Sequence, residues 1–156
     1  MVRYHNFDIV FAEIPDETTL AINITNCPNR CPGCHSPHLQ CDGGERLDAE
    51  ALQGLLDRYG HSVTCVCFMG GDAAPHEIAR LAETVRRSCP ALHTAWYSGR
   101  ERLPEGFDLT RFDYVKLGPW IEALGPLTAP KTNQRLYRIA PDGTMSDITA
   151  RFRRNR

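Results

Sequence analysis

The chain has no long apolar run, no excess of charge and almost no lysine. No stretch approaches the ~18 consecutive apolar residues that a membrane-spanning helix needs, and residues 1–11 carry charges but no apolar signal-peptide core. The formal net charge of −1 at pH 7 gives no general case for nucleic-acid binding. We therefore expect a cytoplasmic protein that binds neither membranes nor nucleic acid. Only Lys116 and Lys131 are lysines among the 18 basic residues, so a lysine within an apolar run stands out.

The composition is that of an ordinary globular protein. The apolar fraction is 42% and the charged fraction is 24%, which argues against a disordered chain. The 156 residues suit one domain with one hydrophobic core. No repeat, low-complexity tract or linker divides the chain, so we expect a single domain over residues 1–156.

Strand-like and helix-like segments alternate along the sequence. Asp48 is a predicted N-cap of a first helix with Gly60 at its C′ position, and a second helix begins at Pro75 and stops before Pro90. The β-rich runs are residues 8–14, 19–25, 63–69, 93–97, 114–117 and 135–140. Such alternation implies right-handed βαβ units. The chain is too short for a full eight-fold barrel of about 250 residues, so we expect an α/β fold with a mainly parallel sheet, as an open partial barrel or a short sheet.

Seven cysteines are the unusual part of the composition. An odd number in a chain expected to be cytoplasmic argues against a disulfide framework and favours metal binding or catalysis. Three of them, Cys27, Cys31 and Cys34, lie within eight residues directly after a predicted strand. Two prolines and a glycine between them exclude a regular helix and favour a compact loop. Three thiolates so close together repel one another unless a cation neutralises them, so the segment predicts a metal site.

The identity of the metal depends on whether a fourth ligand exists. A structural zinc site needs four ligands, and the nearest further candidates are His35, His38 and Cys41. Ordinary ferredoxin clusters also use four cysteines. Three cysteines without an obvious fourth suit a 4Fe-4S cluster with one open iron, which favours catalysis. Zinc bound with one of the three candidates and thiols without a metal remain the alternatives.

The other four cysteines are predicted to have no required function. Cys65 and Cys67 lie on the same face of a strand, since side chains alternate with a period of two. We expect them to be small buried side chains rather than ligands. Cys41 in a loop and Cys89 near a helix end complete this group.

Taken together, the motifs resemble those of the radical SAM (S-adenosylmethionine) superfamily. The spacing CxxxCxxC follows an early strand, and Gly70-Gly71-Asp72 follows the next one, where that superfamily carries its GGE-type motif. The resemblance is closest to the anaerobic ribonucleoside-triphosphate reductase activating proteins in their short form. Further segments carry it over nearly the full length: 25–37, 67–72, 95–99, 116–119 and 132–135.

The resemblance implies an enzyme, a radical SAM oxidoreductase, with a 4Fe-4S cluster and SAM as cofactors. Cys27, Cys31 and Cys34 would bind three irons, and SAM would chelate the fourth. The enzyme would receive one electron from an external donor, cleave SAM reductively and generate a glycyl radical on its partner, the anaerobic reductase. No residue is expected to act as an acid or base. Two positions depart from the common pattern: Gly33 stands where many members have an aromatic residue, and Asp72 replaces the commoner Glu.

Polar or glycine-rich residues follow four successive predicted strands, as expected of a site at one rim of an α/β barrel. For SAM we expect Gly70 and Gly71, whose small size permits close backbone approach, together with Asp72. Ser98 and Lys116 are weaker candidates, for which the alternatives are a turn-forming serine and a surface lysine. On resemblance alone, Asn133 and Gln134 line the substrate entrance.

Three other functions compete with this hypothesis. Within the superfamily, the chain could activate another glycyl-radical enzyme or act on a small metabolite. In a different class, it could be a non-catalytic zinc or iron–sulfur binding module, which predicts a fourth protein ligand and no SAM chemistry.

Overall fold

Eight strands form one sheet in the computed structural model, which describes residues 1–153. The strands are β1 (Arg3–Val10), β2 (Thr19–Ile24), β3 (Glu45–Arg46), β4 (Cys65–Met69), β5 (His93–Tyr97), β6 (Tyr114–Leu117), β7 (Arg135–Ile139) and β8 (Met145–Asp147). The α-helices are α1 (Ala49–Tyr59) and α2 (Pro75–Ser88). No helix of the described residues is both long and apolar enough to cross a membrane.

The sheet is mixed, so the expectation of a mainly parallel sheet is wrong. Its strand order is β3-β1-β2-β4-β5-β6-β7-β8. The three central pairings, from β2 to β6, are parallel, whereas the other four pairings of the described residues are antiparallel. Parallel pairing needs a long crossover such as a helix. The helix α1 precedes β4 and α2 joins β4 to β5, whereas β5 reaches β6 through a loop with one short 3-10 turn. Loops also lead to the outer strands β7 and β8, which pair antiparallel.

The two faces of the sheet are covered differently. Both helices pack on one face, where Val66 and Phe68 of β4 are fully buried. The alternate residues Cys65 and Cys67 are fully buried on the other face, in a smaller core with Ile14. The mixed α/β class is therefore confirmed, with one face covered by the two α-helices and the other by the turn at Ile14 and the segment that contains Ile148 and Phe152.

Helix boundaries follow the sequence signals closely. Asp48 caps α1 as predicted, because its carboxylate accepts from the Ala51 backbone N–H at 2.9 Å. Pro75 is the first residue of α2, which ends at Ser88. Gly60 differs from the expectation, since its φ of −58° is right-handed and the chain continues into a 3-10 turn.

The first strand differs most from the prediction. It spans Arg3–Val10 rather than 8–14, and the chain leaves the sheet at residue 11. The turn before β2 contains Asp16 with a φ of 66°. This turn carries Ile14 under the sheet face opposite the two α-helices, where the side chain is fully buried. Of the apolar residues of 11–14, Ile14 serves the core, whereas Ala12 is exposed and Phe11 is 73% exposed.

Candidate functional site

A compact loop, residues 25–41, carries the cysteine motif and leaves the carboxyl end of β2. Two backbone hydrogen bonds close its ends, from Asn26 N to Cys41 O and from Cys27 N to Leu39 O, each at 3.0 Å. This cysteine loop is irregular, as the prolines and glycine predict, and its closed ends fix the point at which the thiols leave the sheet.

The three motif thiols are partly exposed, and none forms a disulfide. The Ser36 backbone N–H contacts Cys34 Sγ at 3.4 Å, and the Asn29 amide contacts Cys27 Sγ at 3.6 Å. Within residues 1–153, no three His, Cys, Asp or Glu side chains are close enough together to hold a metal ion. The fold therefore places Cys27, Cys31 and Cys34 in one loop, but their sulfurs are not close enough together to bind one metal ion.

The chemistry of this loop fits an iron–sulfur cluster. Three free thiols are the soft donors that iron–sulfur clusters use, and hydrogen bonds to sulfur are part of how proteins tune them. Two of the candidates for a fourth zinc ligand pack against aromatic rings of other segments. His35 packs on Trp120 with ring centres 4.2 Å apart, and His38 packs edge-on to His5 at 4.9 Å.

The other predicted residues lie along the edge of the sheet where the parallel strands end. Gly70 and Gly71 follow β4 with φ values of 109° and 99°, a left-handed region that favours glycine. Ser98 follows β5, and Lys116 lies on β6. Residues 133–134 reach the same edge because β7 is antiparallel to β6, with Leu117 opposite Arg135.

Asp72 joins the cysteine loop to this edge. Its carboxylate accepts from the Ser98 hydroxyl at 2.6 Å, from the Gly99 backbone N–H at 2.8 Å and from the Asn29 amide at 2.6 Å. The Asp72 and Ser98 side chains are buried. Asp72, Ser98 and the cysteine loop are therefore held in one hydrogen-bonded group.

The carbonyls of the two glycines already have partners within the protein. Gly70 O accepts from the Trp96 indole at 2.8 Å, and Gly71 O accepts from Ala74 N at 3.0 Å. A carbonyl oxygen has two lone pairs, so each keeps one for a further donor. Trp96 itself is buried in the core.

Lys116 is not a surface lysine, because only 7% of it is exposed. Its ammonium donates to Gly118 O at 3.0 Å. Burial lowers the pKa of Lys116 from its ordinary 10.5 to about 8, although the nearby Asp72 carboxyl and Cys31 thiol oppose that change. A buried cation thus lies within electrostatic reach of both the cysteine loop and Asp72.

A cavity of about 270 Å³ lies beside the cysteine loop. His35, Trp120 and Gln134 line it, together with Glu13, whose pKa is raised by burial. Asn133 lies nearby in the chain and donates to Pro119 O at 3.0 Å. Gln134 is therefore at a cavity wall, as an entrance residue would be. Asn133 instead stabilises the loop between β6 and β7 through its bond to Pro119.

Two residues of the site were not predicted from the sequence. Trp120 packs against the cysteine loop, where its Nε1 would lie 3.6 Å from a Cβ at Gly33. Within the described residues this buried indole N–H has no hydrogen-bond partner. Asn29 lies inside the motif, but nothing in the sequence indicates that it reaches Asp72. A groove of about 900 Å³ lies beside α2 and the start of α1, and none of the predicted site residues lines it.

One family of known proteins matches this chain. The sequence model of the 4Fe-4S single cluster domain matches residues 18–103, more than half of the 156 residues. The chain belongs to this 4Fe-4S single cluster domain family. The match includes the cysteine loop, Asp72 and Ser98, and it ends before Lys116. Neither the curated proteins nor the solved structures contain a match.

Membership in the 4Fe-4S single cluster domain family confirms the prediction of an iron–sulfur protein and supports a 4Fe-4S cluster as its cofactor. It also favours iron over the zinc alternative. The donor set of the cysteine loop agrees, since three free thiols leave the same short segment.

Proposed function

We propose that this chain is a radical SAM activating enzyme, a single domain with a partial-barrel fold that generates a glycyl radical on a partner protein. The partner that we propose is the anaerobic ribonucleoside-triphosphate reductase. Cys27, Cys31 and Cys34 would be the three protein ligands of the 4Fe-4S cluster. When bound and reduced, the cofactor pair supplies one-electron cleavage of a carbon–sulfur bond of SAM.

One observation supports the proposal above all others. The 2.6 Å hydrogen bond between Asn29 and Asp72 joins the cysteine loop to the Gly-Gly-Asp turn. These motifs are 43 residues apart in the chain, and either one alone has a common structural explanation. Their direct contact argues for one site that serves both a cluster and a second ligand at the ends of the parallel strands.

The residues around this contact suit the polar groups of an amino acid. The free lone pairs of the Gly70 and Gly71 carbonyls can accept from an ammonium group. Lys116, with a pKa of about 8, is mostly protonated at pH 7 and can meet a carboxylate. Ser98 holds the Asp72 carboxylate at 2.6 Å and so acts on the orientation of the turn.

The partner would approach from the side of the cavity. Gln134 is buried at the cavity wall beside Trp120. The cavity opens between loops and not inside a closed barrel, which favours a loop of a protein over a small metabolite as the substrate. The role of these residues is to admit a polypeptide loop while keeping bulk water from the thiols.

Iron binding and SAM cleavage by the purified chain test the proposal. The protein is reconstituted anaerobically with iron and sulfide, reduced with dithionite and incubated with SAM. We expect roughly four irons per chain, as in a 4Fe-4S cluster, and formation of 5′-deoxyadenosine. The Cys31→Ala variant should lose both. Cys41→Ala is the matched control, because Cys41 is an exposed cysteine of the same loop, and it should retain both.

Two results would contradict the proposal. Stoichiometric zinc without SAM cleavage would favour a structural zinc module. A full cluster without any 5′-deoxyadenosine would make the chain a non-catalytic iron–sulfur domain.

A further inference from the structure

Asn29 occupies a special place in the cysteine loop, two residues after Cys27. One amide nitrogen of Asn29 contacts two groups at once. It donates to Asp72 Oδ2 at 2.6 Å and contacts Cys27 Sγ at 3.6 Å. A side-chain amide has two N–H donors, so a single NH₂ group can serve both the carboxylate and the sulfur.

The acceptor of this amide is itself held firmly. Asp72 is only 5% exposed. The Ser98 hydroxyl binds one carboxylate oxygen at 2.6 Å, and the Gly99 N–H binds the other at 2.8 Å. Because both partners belong to the end of β5, the carboxylate has a fixed position relative to the sheet. Hydrogen bonds to a charged group in a buried setting are the stronger kind.

The space for Asn29 depends on the absence of a side chain at Gly99. A Cβ added at residue 99 would lie 2.6 Å from Asn29 Nδ2 and 3.5 Å from Asp72 Oδ2. Any residue larger than glycine would displace the Asn29 amide. Three segments therefore determine the geometry of the Asn29–Asp72 contact: the cysteine loop, the turn after β4 and the end of β5.

We propose that Asn29 is a positioning residue that fixes Cys27 and donates to its sulfur, and that Asp72 and Gly99 hold Asn29 in place. A Glu at position 72 is one methylene longer, so we expect that it gives up its present bonds to Ser98 and Gly99 or moves the Asn29 amide. In this proposal the function of the Asp72 carboxylate is to hold the cysteine loop in place through Asn29. It requires that Cys27 binds the cluster, but it does not require SAM cleavage.

The consequence is a measurable change in the cluster. Hydrogen bonds to ligand sulfur shift the reduction potential of an iron–sulfur cluster. An N–H donor favours the added negative charge of the reduced form, so its loss lowers the potential. We expect Asn29→Ala to lower the reduced-to-oxidised ratio about tenfold at a fixed potential, which is about 59 mV for a one-electron couple.

The test compares four variants as reconstituted protein. Asn29→Ala removes the donor, Gly99→Ala displaces it without removing a polar group, and Asp72→Glu moves the acceptor. Gln53→Ala is the matched control, because Gln53 also donates from an amide to a carboxylate, that of Asp57 at 2.9 Å on α1. The readouts are iron and sulfide per chain, the midpoint potential and the electron paramagnetic resonance spectrum of the reduced cluster.

We expect the three site variants to shift the potential in the same negative direction or to lose iron, with the control unchanged. A fifth variant, Asp72→Asn, separates position from charge. It keeps an acceptor oxygen for Asn29 and Gly99, and the Ser98 hydroxyl can accept from its amide, so we expect iron loading within twofold of the unaltered chain.

Each contrary result has a definite meaning. The proposal is overturned if Asn29→Ala loads fully with an unchanged potential and spectrum, if Asp72→Asn is as impaired as Asp72→Glu, or if the control shows the same defect. A poorly loaded Asn29→Ala protein supports the proposal when the circular dichroism of its apo form is unchanged. If apo Asn29→Ala loses its circular dichroism signal, the Gly99→Ala variant gives the answer. A lowered potential or lost iron in Gly99→Ala supports the proposal, and an unchanged cluster overturns it. A cluster that responds as expected while no SAM is cleaved would refute the proposed function and leave this inference intact.

Discussion

Replacing Lys116 with methionine should stabilise the protein without its cofactors, although it removes a proposed binding group. The replacement keeps a long unbranched side chain and removes the charge. Burial lowers the pKa of Lys116 from 10.5 to about 8, so the folded state holds this proton less tightly than the unfolded state. Each tenfold difference in proton affinity is worth about 1.4 kcal/mol, which gives a penalty on folding of about 3 kcal/mol below pH 8.

The sign follows from the proton balance of the two states. Between pH 8 and about 10.5 the unfolded state binds more protons than the folded state, so the free energy of unfolding rises with pH over that window. At pH 7 the full penalty is present. The variant also loses the 3.0 Å bond to Gly118 O, worth about 1 kcal/mol. We therefore expect Lys116→Met to be more stable at pH 7 by about 2 kcal/mol and slightly less stable than the unaltered chain at pH 10.5, where the penalty has almost gone and the lost bond remains.

Urea denaturation of the apo protein at pH 7 and pH 10.5 measures this difference. Lys131→Met is the matched control, since Lys131 is the other lysine and is exposed, and it should change stability by less than about 0.5 kcal/mol. A Lys116→Met protein that is no more stable than the unaltered chain at pH 7 would refute the account of a strained, buried ammonium. So would an equal gain in the control. If the same variant also binds SAM more weakly, the free-energy cost of burying the Lys116 ammonium is one that the protein retains because binding needs the charge.

Two further predictions concern the turn after β4 and the buried thiols. Gly71→Ala should destabilise the fold by about 2–3 kcal/mol, because its Cβ would lie 2.5 Å from Ile78 Cγ1 at a φ of 99°. Urea denaturation measures this change, and a loss of stability below about 0.5 kcal/mol would argue against the close packing. Burial raises the pKa of the Cys65 and Cys67 thiols well above the ordinary value, so at pH 8 iodoacetamide should alkylate exposed Cys41 readily and leave both buried thiols unmodified. Mass spectrometry of digested protein measures the modification, and rapid labelling of Cys67 in the native state would contradict its burial.

Local sequence signals predicted much of the fold. The carboxylate of Asp48 caps α1, Pro75 begins α2, and β5 and β6 have the predicted bounds. These features depend on neighbours within a few residues, which the sequence displays directly. The position of the cysteine loop and of Gly70-Gly71 at strand ends was predictable for the same reason.

The outer strands were harder to predict because distant partners decide them. β3 has two residues and β8 has three, too few for a hydrophobic pattern, and both exist because a longer neighbour offers hydrogen bonds. The antiparallel direction of β7 is likewise not visible in the sequence, because loops without an α-helix lead both from β5 to its parallel neighbour β6 and from β6 to its antiparallel neighbour β7. Ile14 lies in a run that resembles a strand, but its side chain fills the core beneath the sheet, whereas Phe11 of the same run is exposed.

Side-chain contacts across the site could not be predicted from the sequence. Asn29 and Asp72 are 43 residues apart, and Trp120 reaches the cysteine loop from a segment with no pattern of its own. Their contacts arise only when the sheet has brought the loops to one edge. The sequence indicated which residues could bind a metal or a ligand, whereas the fold determined which of them are in contact.

The most direct test of the central claim is the electron paramagnetic resonance spectrum of the partner after activation. The cluster-loaded chain is mixed anaerobically with SAM, dithionite and the anaerobic ribonucleoside-triphosphate reductase. We expect a glycyl-radical signal that requires both SAM and an intact Cys31, and that remains with Cys41→Ala. Cleavage of SAM without any radical on the reductase, under conditions in which a known activating enzyme produces one, would contradict it.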